Sequence, residues 1–285
     1  MPFLQTPSLE RLWDCQPILL VGMHRSGTSL MSSLLAMFDV HMGSDLDPNA
    51  ESKHFRSLNK HTFQAVHADW NTPDLVTDAV KSPTFVAAQA DYYRAHLLIG
   101  VGGLLYWGYR RWLTLRRGAG LPFWGWKDPR TSLTLASWLQ VFPQAHVVHI
   151  IRNGIDVAIS LHRRHIAKSK RWRVHPDHRD PRGFDFRFCF SLWERYQAHL
   201  LTCRTTVPVE QYTELYYETL LREPEATLRH VLSCLSVPFE EKQLAGAAAT
   251  IDVGRLDNRT YAAAYQGIIP ELRENPLMRA LGYSE

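Results

Sequence analysis

Apolar positions along the chain fall into short runs that alternate with helix-spaced stretches. Pro17-Ile18-Leu19-Leu20-Val21 and Ala145-His146-Val147-Val148-His149-Ile150-Ile151 are nearly continuous apolar runs, the pattern of strands buried on both faces. Phe123-Trp124-Gly125-Trp126 and Leu215-Tyr216-Tyr217 read as two more short strands. Helical spacing follows each: Leu30, Leu34, Leu35 and Phe38 after the first; Leu133, Leu135, Trp138 and Leu139, ended by Phe142-Pro143, after the aromatic one; Ile155 to Leu161 after the third; and Glu225 to Leu235 behind Pro224. Further helical stretches are expected over 56–70, with Phe55, Leu58, Phe63 and Val66 near helical spacing, over 83–117 with a Gly-rich interruption at 100–103, over Phe190–Arg204 and over Gln243–Thr250. Residues 162–187 are strongly basic and read as irregular. Strands alternating with helices predict an α/β fold, a central parallel sheet with helices on both faces that binds ligands beyond the strand ends. No repeat, low-complexity tract or linker interrupts the pattern, so residues 1–285 are expected to form a single domain.

The first strand runs into Gly22-Met23-His24-Arg25-Ser26-Gly27-Thr28-Ser29 and then a helix. Strand, Gly turn and helix N-terminus make an anion site, because unpaired N–H groups and the positive end of the helix dipole converge. The spacing almost matches the nucleotide loop G-x4-G-K-[ST] and points to a three-layer P-loop-type fold. Thr28 stands where that motif has the Lys that serves a triphosphate. A loop without it suits a single phosphate, with Arg25 as the local cation. The strand at 147–151 ends in Arg152, where a magnesium-binding acid would stand in a kinase. A cation there is wrong for Mg²⁺ and right for a second phosphate. Ser160 lies about two helical turns on and Arg164 one turn later, on the same helical face.

Composition sets bounds on this picture. Hydrophobic content of 45% with nine Trp and twelve Phe argues for a folded protein. A net charge of +4 fits anionic ligands without indicating nucleic acid. The four cysteines, Cys15, Cys189, Cys203 and Cys234, form no C-x-x-C pair and read as reduced and buried. With no apolar leader pattern at the N-terminus, a cytoplasmic setting is expected. Fourteen histidines include no convincing metal set, since 162–165 and 175–178 lie in basic surroundings. Residues 97–107 are the most hydrophobic stretch and are followed by Arg110, Arg111, Arg116 and Arg117. They are too short to span a bilayer and read as a buried helix or, alternatively, as a surface in peripheral contact with a membrane.

Four pieces together resemble sulfotransferases that use 3′-phosphoadenosine 5′-phosphosulfate (PAPS). The loop at 22–29 is similar to that family's 5′-phosphosulfate loop. Arg152-Asn153-Gly154 through Ser160 looks like its 3′-phosphate motif, a strand-end Arg with a Ser eight residues later. Lys127-Asp128-Pro129-Arg130-Thr131 is placed as in tyrosylprotein-type and many bacterial members. Tyr216-Tyr217-Glu218-Thr219-Leu220, with Pro224 and the helix after it, resembles the Tyr-Glu-x-Leu segment.

The resemblance implies PAPS as co-substrate and PAP as product, with no metal. It implies a nucleotide site of Arg25, Ser26, Gly27, Thr28, Ser29, Arg152, Ser160, Arg164, Tyr217 and Arg255, with Arg259 competing for the role of Arg255. Lys127 and Arg25 are then the cations of catalysis, and Glu51 or His54 the base, with Glu51 favoured. Many bacterial relatives carry Glu directly after the aromatic residue of that loop, where this chain has Arg56. His24 either touches substrate or shapes the loop. The implied acceptor is a hydroxyl of a carbohydrate, lipid or small metabolite. Two other readings are an ATP-dependent P-loop kinase and a sulfotransferase-like protein that binds nucleotide without turnover. Oligomeric state is not legible.

Overall fold

A computed structural model of the chain describes residues 16–97, 101–116, 123–171, 181–252, 254 and 263–283. Four strands, β1 (Ile18–Val21), β2 (Gly125–Lys127), β3 (His146–Ile151) and β4 (Tyr212–Tyr216), form one parallel sheet in the order β2-β1-β3-β4. Leu19 pairs with Trp126 on one side and with Val147 on the other. Period-two alternation sends each strand's side chains to opposite faces. Ile18, Leu20, Val148, Ile150 and Leu215 join one core, with helices α1 (Thr28–Ala36), α10 (Tyr217–Arg222), α11 (Pro224–Cys234) and α12 (Glu241–Ala249). Leu19, Val21 and Val147 join a second, with α2 (Lys53–Ala65), α4 (Pro83–Leu97) and α7 (Thr131–Val141). Ile151 joins a third, with α8 (Gly154–Arg171) and α9 (Phe186–Arg204). The result is the expected three-layer α/β fold. The direction of strand addition reverses between β1 and β3, so the crevice beyond their carboxyl ends is the topological switch point.

Three helical stretches depart from their expected bounds. Residues 162–187 do not stay irregular from the start: α8 continues to Arg171, and α9 begins at Phe186 after a 3-10 turn at Pro181–Phe184. Lys and Arg are good helix formers, and α8 keeps a buried face of Val157, Ala158 and Leu161. Of the interruption expected at 100–103, Gly100 lies outside the described residues, between the end of α4 at Leu97 and the start of α5 (Val101–Trp107), while Gly102 and Gly103 lie inside α5, Gly102 against the His54 ring. A break not expected from the sequence falls at Gly108, with φ of 72°, before α6 (Tyr109–Arg116). β4 ends at Tyr216, and Tyr217 opens α10. Helix α3 (Pro73–Ala79) precedes α4, and α13 (Ile269–Arg273) and α14 (Pro276–Ala280) close the chain. No helix among the described residues is long and apolar enough to cross a membrane. Of the cysteines expected to be buried, Cys189 is, Cys203 is half-buried and Cys234 is exposed on α11; Cys15 lies outside the described residues.

His149 in β3 is a buried titratable group under the site. Its Nε2 meets Gln197 Oε1 at 2.7 Å and its Nδ1 meets the Tyr212 hydroxyl at 2.9 Å, a pair of bonds that a neutral imidazole satisfies. Burial pushes its pKa down to about 4, with the Gln197 bond opposing and Arg204 adding. The unfolded residue titrates near 6.5, so the unfolded chain binds more protons between pH 6.5 and 4. This contribution is full above pH 6.5 and declines as pH falls through that window, by up to about 1.4 kcal/mol per pH unit. Urea melts of His149→Gln should therefore vary less with pH there than wild type; equal slopes would show that another group titrates.

Candidate active site

The loop after β1 is shaped by its glycines and by Ser132. Gly22 has φ of 145° and Gly27 of 102°, conformations open to glycine. A Cβ on Gly27 would lie 2.2 Å from the Tyr217 ring, so the ring packs directly on the loop. Arg25 holds a left-handed φ of 76°. The Ser26 backbone N–H and hydroxyl both donate to the Met23 carbonyl, at 3.1 and 2.6 Å. Ser132 Oγ accepts from the Gly22 N–H at 2.9 Å and donates to its carbonyl at 3.2 Å. Ser132→Ala leaves that buried N–H unpaired, an expected cost of about 1–2 kcal/mol in a urea melt. Thr28 and Ser29 open α1, where first-turn N–H groups have no partner within the helix.

The end of β3 meets this loop. Arg152 Nη1 donates to the Arg25 carbonyl at 3.0 Å, and its guanidinium lies 4.5 Å from the Tyr217 ring centre. Arg152 Nε is buried with no hydrogen-bond partner among the described residues. Arg25 Nε donates to Ser160 Oγ at 2.9 Å. Burial first, then the nearby Arg164 and Arg152, lower the Arg25 pKa, a measure of the positive field the three create. Trp193 Nε1 donates to the Arg152 carbonyl at 3.0 Å, and its ring fills the space a side chain on Gly154 would need. Glu218 accepts from the Asn153 N–H at 2.9 Å, tying the Tyr-Glu segment to the start of α8.

Lys127 closes β2 and is 2% exposed. Its Nζ donates to Glu51 Oε1 at 3.1 Å, the Asn49 carbonyl at 3.0 Å and Ser29 Oγ at 3.3 Å. Burial lowers its pKa, and Glu51 opposes that fall. The next residue is anchored from below. Asn59 Nδ2 donates to Asp128 Oδ2 and Thr131 Oγ1, both at 2.9 Å, while its Oδ1 accepts from Thr134 and Trp138. Asn59 thus uses all four of its bonding positions.

Two cavities meet here. One of about 170 Å³ is lined by Arg25, Gly27–Ser29, Lys127, Arg152 and Tyr217. The other, of about 750 Å³, lies between α2 and α8. His24, Asn49, Glu51 and Arg164 line both. A shallower cavity holds Arg25, Ser160 and Arg164. The structure therefore gathers Arg25, Gly27, Thr28, Ser29, Glu51, Lys127, Arg152, Ser160, Arg164 and Tyr217 around one place. Ser26 is buried, with its hydroxyl turned to its own loop. His54 is not brought there: its Nε2 bonds the Leu97 carbonyl at 2.9 Å, and its ring packs on Gly102. Arg255 and Arg259 lie outside the described residues.

His24 stands at the seam of the two cavities, its ring edge-on to Trp70 at 5.0 Å. Its Nε2 is buried without a partner among the described residues. Burial and four surrounding cations, Arg130 first, hold its pKa well below the ordinary value. Sequence reasoning did not find the Asn49 carbonyl, the Asn59 anchor, or the walls made by Trp70 and Arg130. The basic face of α2, at Lys53, Arg56 and Lys60, was legible by spacing. Among the described residues no group of three or more His, Cys, Asp or Glu is placed to hold a metal ion.

A family model described as "Sulfotransferase family" matches residues 17–241. Protein-tyrosine sulfotransferase A of Caenorhabditis elegans is 23% identical over 238 residues, covering 80% of this chain and 51% of that protein. An uncharacterised protein of Aquifex aeolicus is 29% identical over 106 residues, 37% of this chain and 13% of that one. The chain thus spans half or less of these curated relatives in round terms. The crystal structure of a sulfotransferase from Mycobacterium tuberculosis H37Rv superposes with a TM-score of 0.50 at 16% identity, covering 87% of this chain and 74% of that one. At that identity the likeness speaks for the fold.

Proposed function

This chain belongs to the sulfotransferase family through residues 17–241, and we propose that it acts as one domain, over residues 1–285, to move a sulfuryl group from PAPS to a hydroxyl acceptor by in-line displacement. The observation that carries this reading is the meeting of Arg152 with the β1 loop. Arg152 and Arg25 face one another where β1 and β3 end, and Arg152 keeps a buried donor without a partner among the described residues. An orphaned guanidinium N–H beside a glycine cradle fits a phosphate. The same position in an ATP-dependent kinase needs a carboxylate for Mg²⁺, which counts against the kinase reading.

In this reading PAPS supplies the sulfuryl group and leaves as PAP. The first turn of α1, with Arg25 and Ser29, holds the 5′ end; Arg152, Ser160 and Arg164 hold the 3′-phosphate, and Tyr217 supplies the wall on which Arg152 rests. Lys127 is aimed by Asn49, Ser29 and Glu51 at the junction of the cavities, where it neutralises charge as the acceptor attacks. Glu51 takes the acceptor's proton: it lines both cavities, whereas His54 lines neither. No metal takes part. Incubating the protein with PAPS and a cell-extract metabolite pool, then searching intact masses for sulfated products, tests the reading. Sulfated products that disappear with Arg152→Ala support it. PAP binding without any product would favour a non-catalytic nucleotide-binding role.

A further inference from the structure

Resting on the reading of the smaller cavity as the donor site, we propose that the acceptor is an acidic saccharide, a sugar carrying an anionic group near the hydroxyl that is modified. Helix α2 turns Lys53, Arg56 and Lys60 to the larger cavity, at spacings of three and four that put them on one face. Its opposite face, with Phe55, Leu58 and Asn59, is buried. Across the cavity stands Arg164 of α8, which the 3′-phosphate engages in that reading, so the cations left to the acceptor are those of α2. Every acid lining this cavity already has a cation: Asp47 with Arg56 at 2.7 Å, Glu51 with Lys127 at 3.1 Å, and Asp69 with Arg130 at 4.0 Å. The Lys53 and Lys60 side chains have no hydrogen-bond or ion-pair partner among the described residues.

That surplus of positive charge selects for an anionic ligand and raises its local concentration. A lipid tail would need a mostly apolar wall, and of the lining residues only Phe63, Ala68, Trp70 and Leu161 are apolar. Trp70, half-buried at the inner end beside His24, offers an aromatic face for a sugar ring. A volume of about 750 Å³ holds a ligand of a few sugar rings.

The test is titration calorimetry on the protein saturated with PAP. The probes are a uronate-containing disaccharide, a hexose phosphate, a neutral disaccharide, a soluble sterol and a tyrosine peptide flanked by glutamates. The uronate disaccharide or the hexose phosphate should bind at least about tenfold tighter than the neutral sugar and weaken as salt rises. The two acidic probes separate a carboxylate from a phosphate preference, either of which supports the proposal. Lys53→Gln with Lys60→Gln should weaken the acidic sugar by roughly two- to thirtyfold, the sum of two exposed charge contacts, with PAP affinity unchanged. Equal or tighter binding of the neutral sugar, the sterol or the peptide overturns the proposal, as does PAP binding with no response to either acidic sugar. Failure of wild-type protein to bind PAP removes the donor-site reading itself.

Discussion

Lys127→Ala is expected to lower turnover by about 10²–10³-fold, the range seen when a preorganised donor to a developing charge is removed. PAP affinity should change by no more than a few-fold. The asymmetry follows from where Nζ sits. It is held by Glu51, Asn49 and Ser29, and the first two of these line both cavities. PAP lacks the sulfuryl group, so it offers Lys127 little to bind. The neutral form of Lys127 is favoured by burial and the charged form by Glu51; removing the amine also leaves Arg56, at 3.9 Å, as the one cation paired with Glu51 among the described residues. Paired measurements of PAP affinity by calorimetry and of single-turnover rate check this. Equal losses in both would make Lys127 a binding residue.

Arg152→Ala should do the reverse and weaken PAP by about 1.5–3 kcal/mol, the range for hydrogen bonds to charged groups. That is roughly a 10- to 150-fold rise in Kd. Part of the loss is indirect, because Arg152 Nη1 also braces the Arg25 carbonyl and so the left-handed turn of the loop. Arg152→Lys should recover only part of the loss, since an ammonium cannot reproduce the planar fork that stacks on Tyr217. Unchanged affinity in the alanine variant would remove Arg152 from the 3′-phosphate site.

The sheet and the loop after β1 were legible because their signals are local. Apolar runs, two glycines and a helix-spaced stretch lie within about twenty residues, and backbone geometry follows from such neighbours. Arg152 was legible for the same reason, as a charge at the end of the clearest strand. Which of Glu51 and His54 faces the cavities was not. They are three residues apart, and what separates them is the start of α2 at Lys53, capped by the Ser52 hydroxyl. That helix start turns His54 under the Leu97 carbonyl and leaves Glu51 facing Lys127. Asn59 was invisible because its partners lie 69 to 79 residues away along the chain. The continuation of α8 to Arg171 is masked in the sequence by its run of charges, although α8 keeps an apolar face. The charged face of α2 shows in the three- and four-residue spacing of Lys53, Arg56 and Lys60, but nothing local says what that face lines.

In the proposed function this chain recognises two phosphates, one at each of two adjacent strand ends. Calorimetric titration of the wild-type protein with PAP, beside ATP with Mg²⁺, tests it most directly. PAP is expected to bind at about micromolar Kd or tighter, near −8 kcal/mol, with no response to ATP and Mg²⁺. ATP binding with PAP silent would contradict it, because Arg152 and Ser160 would then not form a 3′-phosphate site.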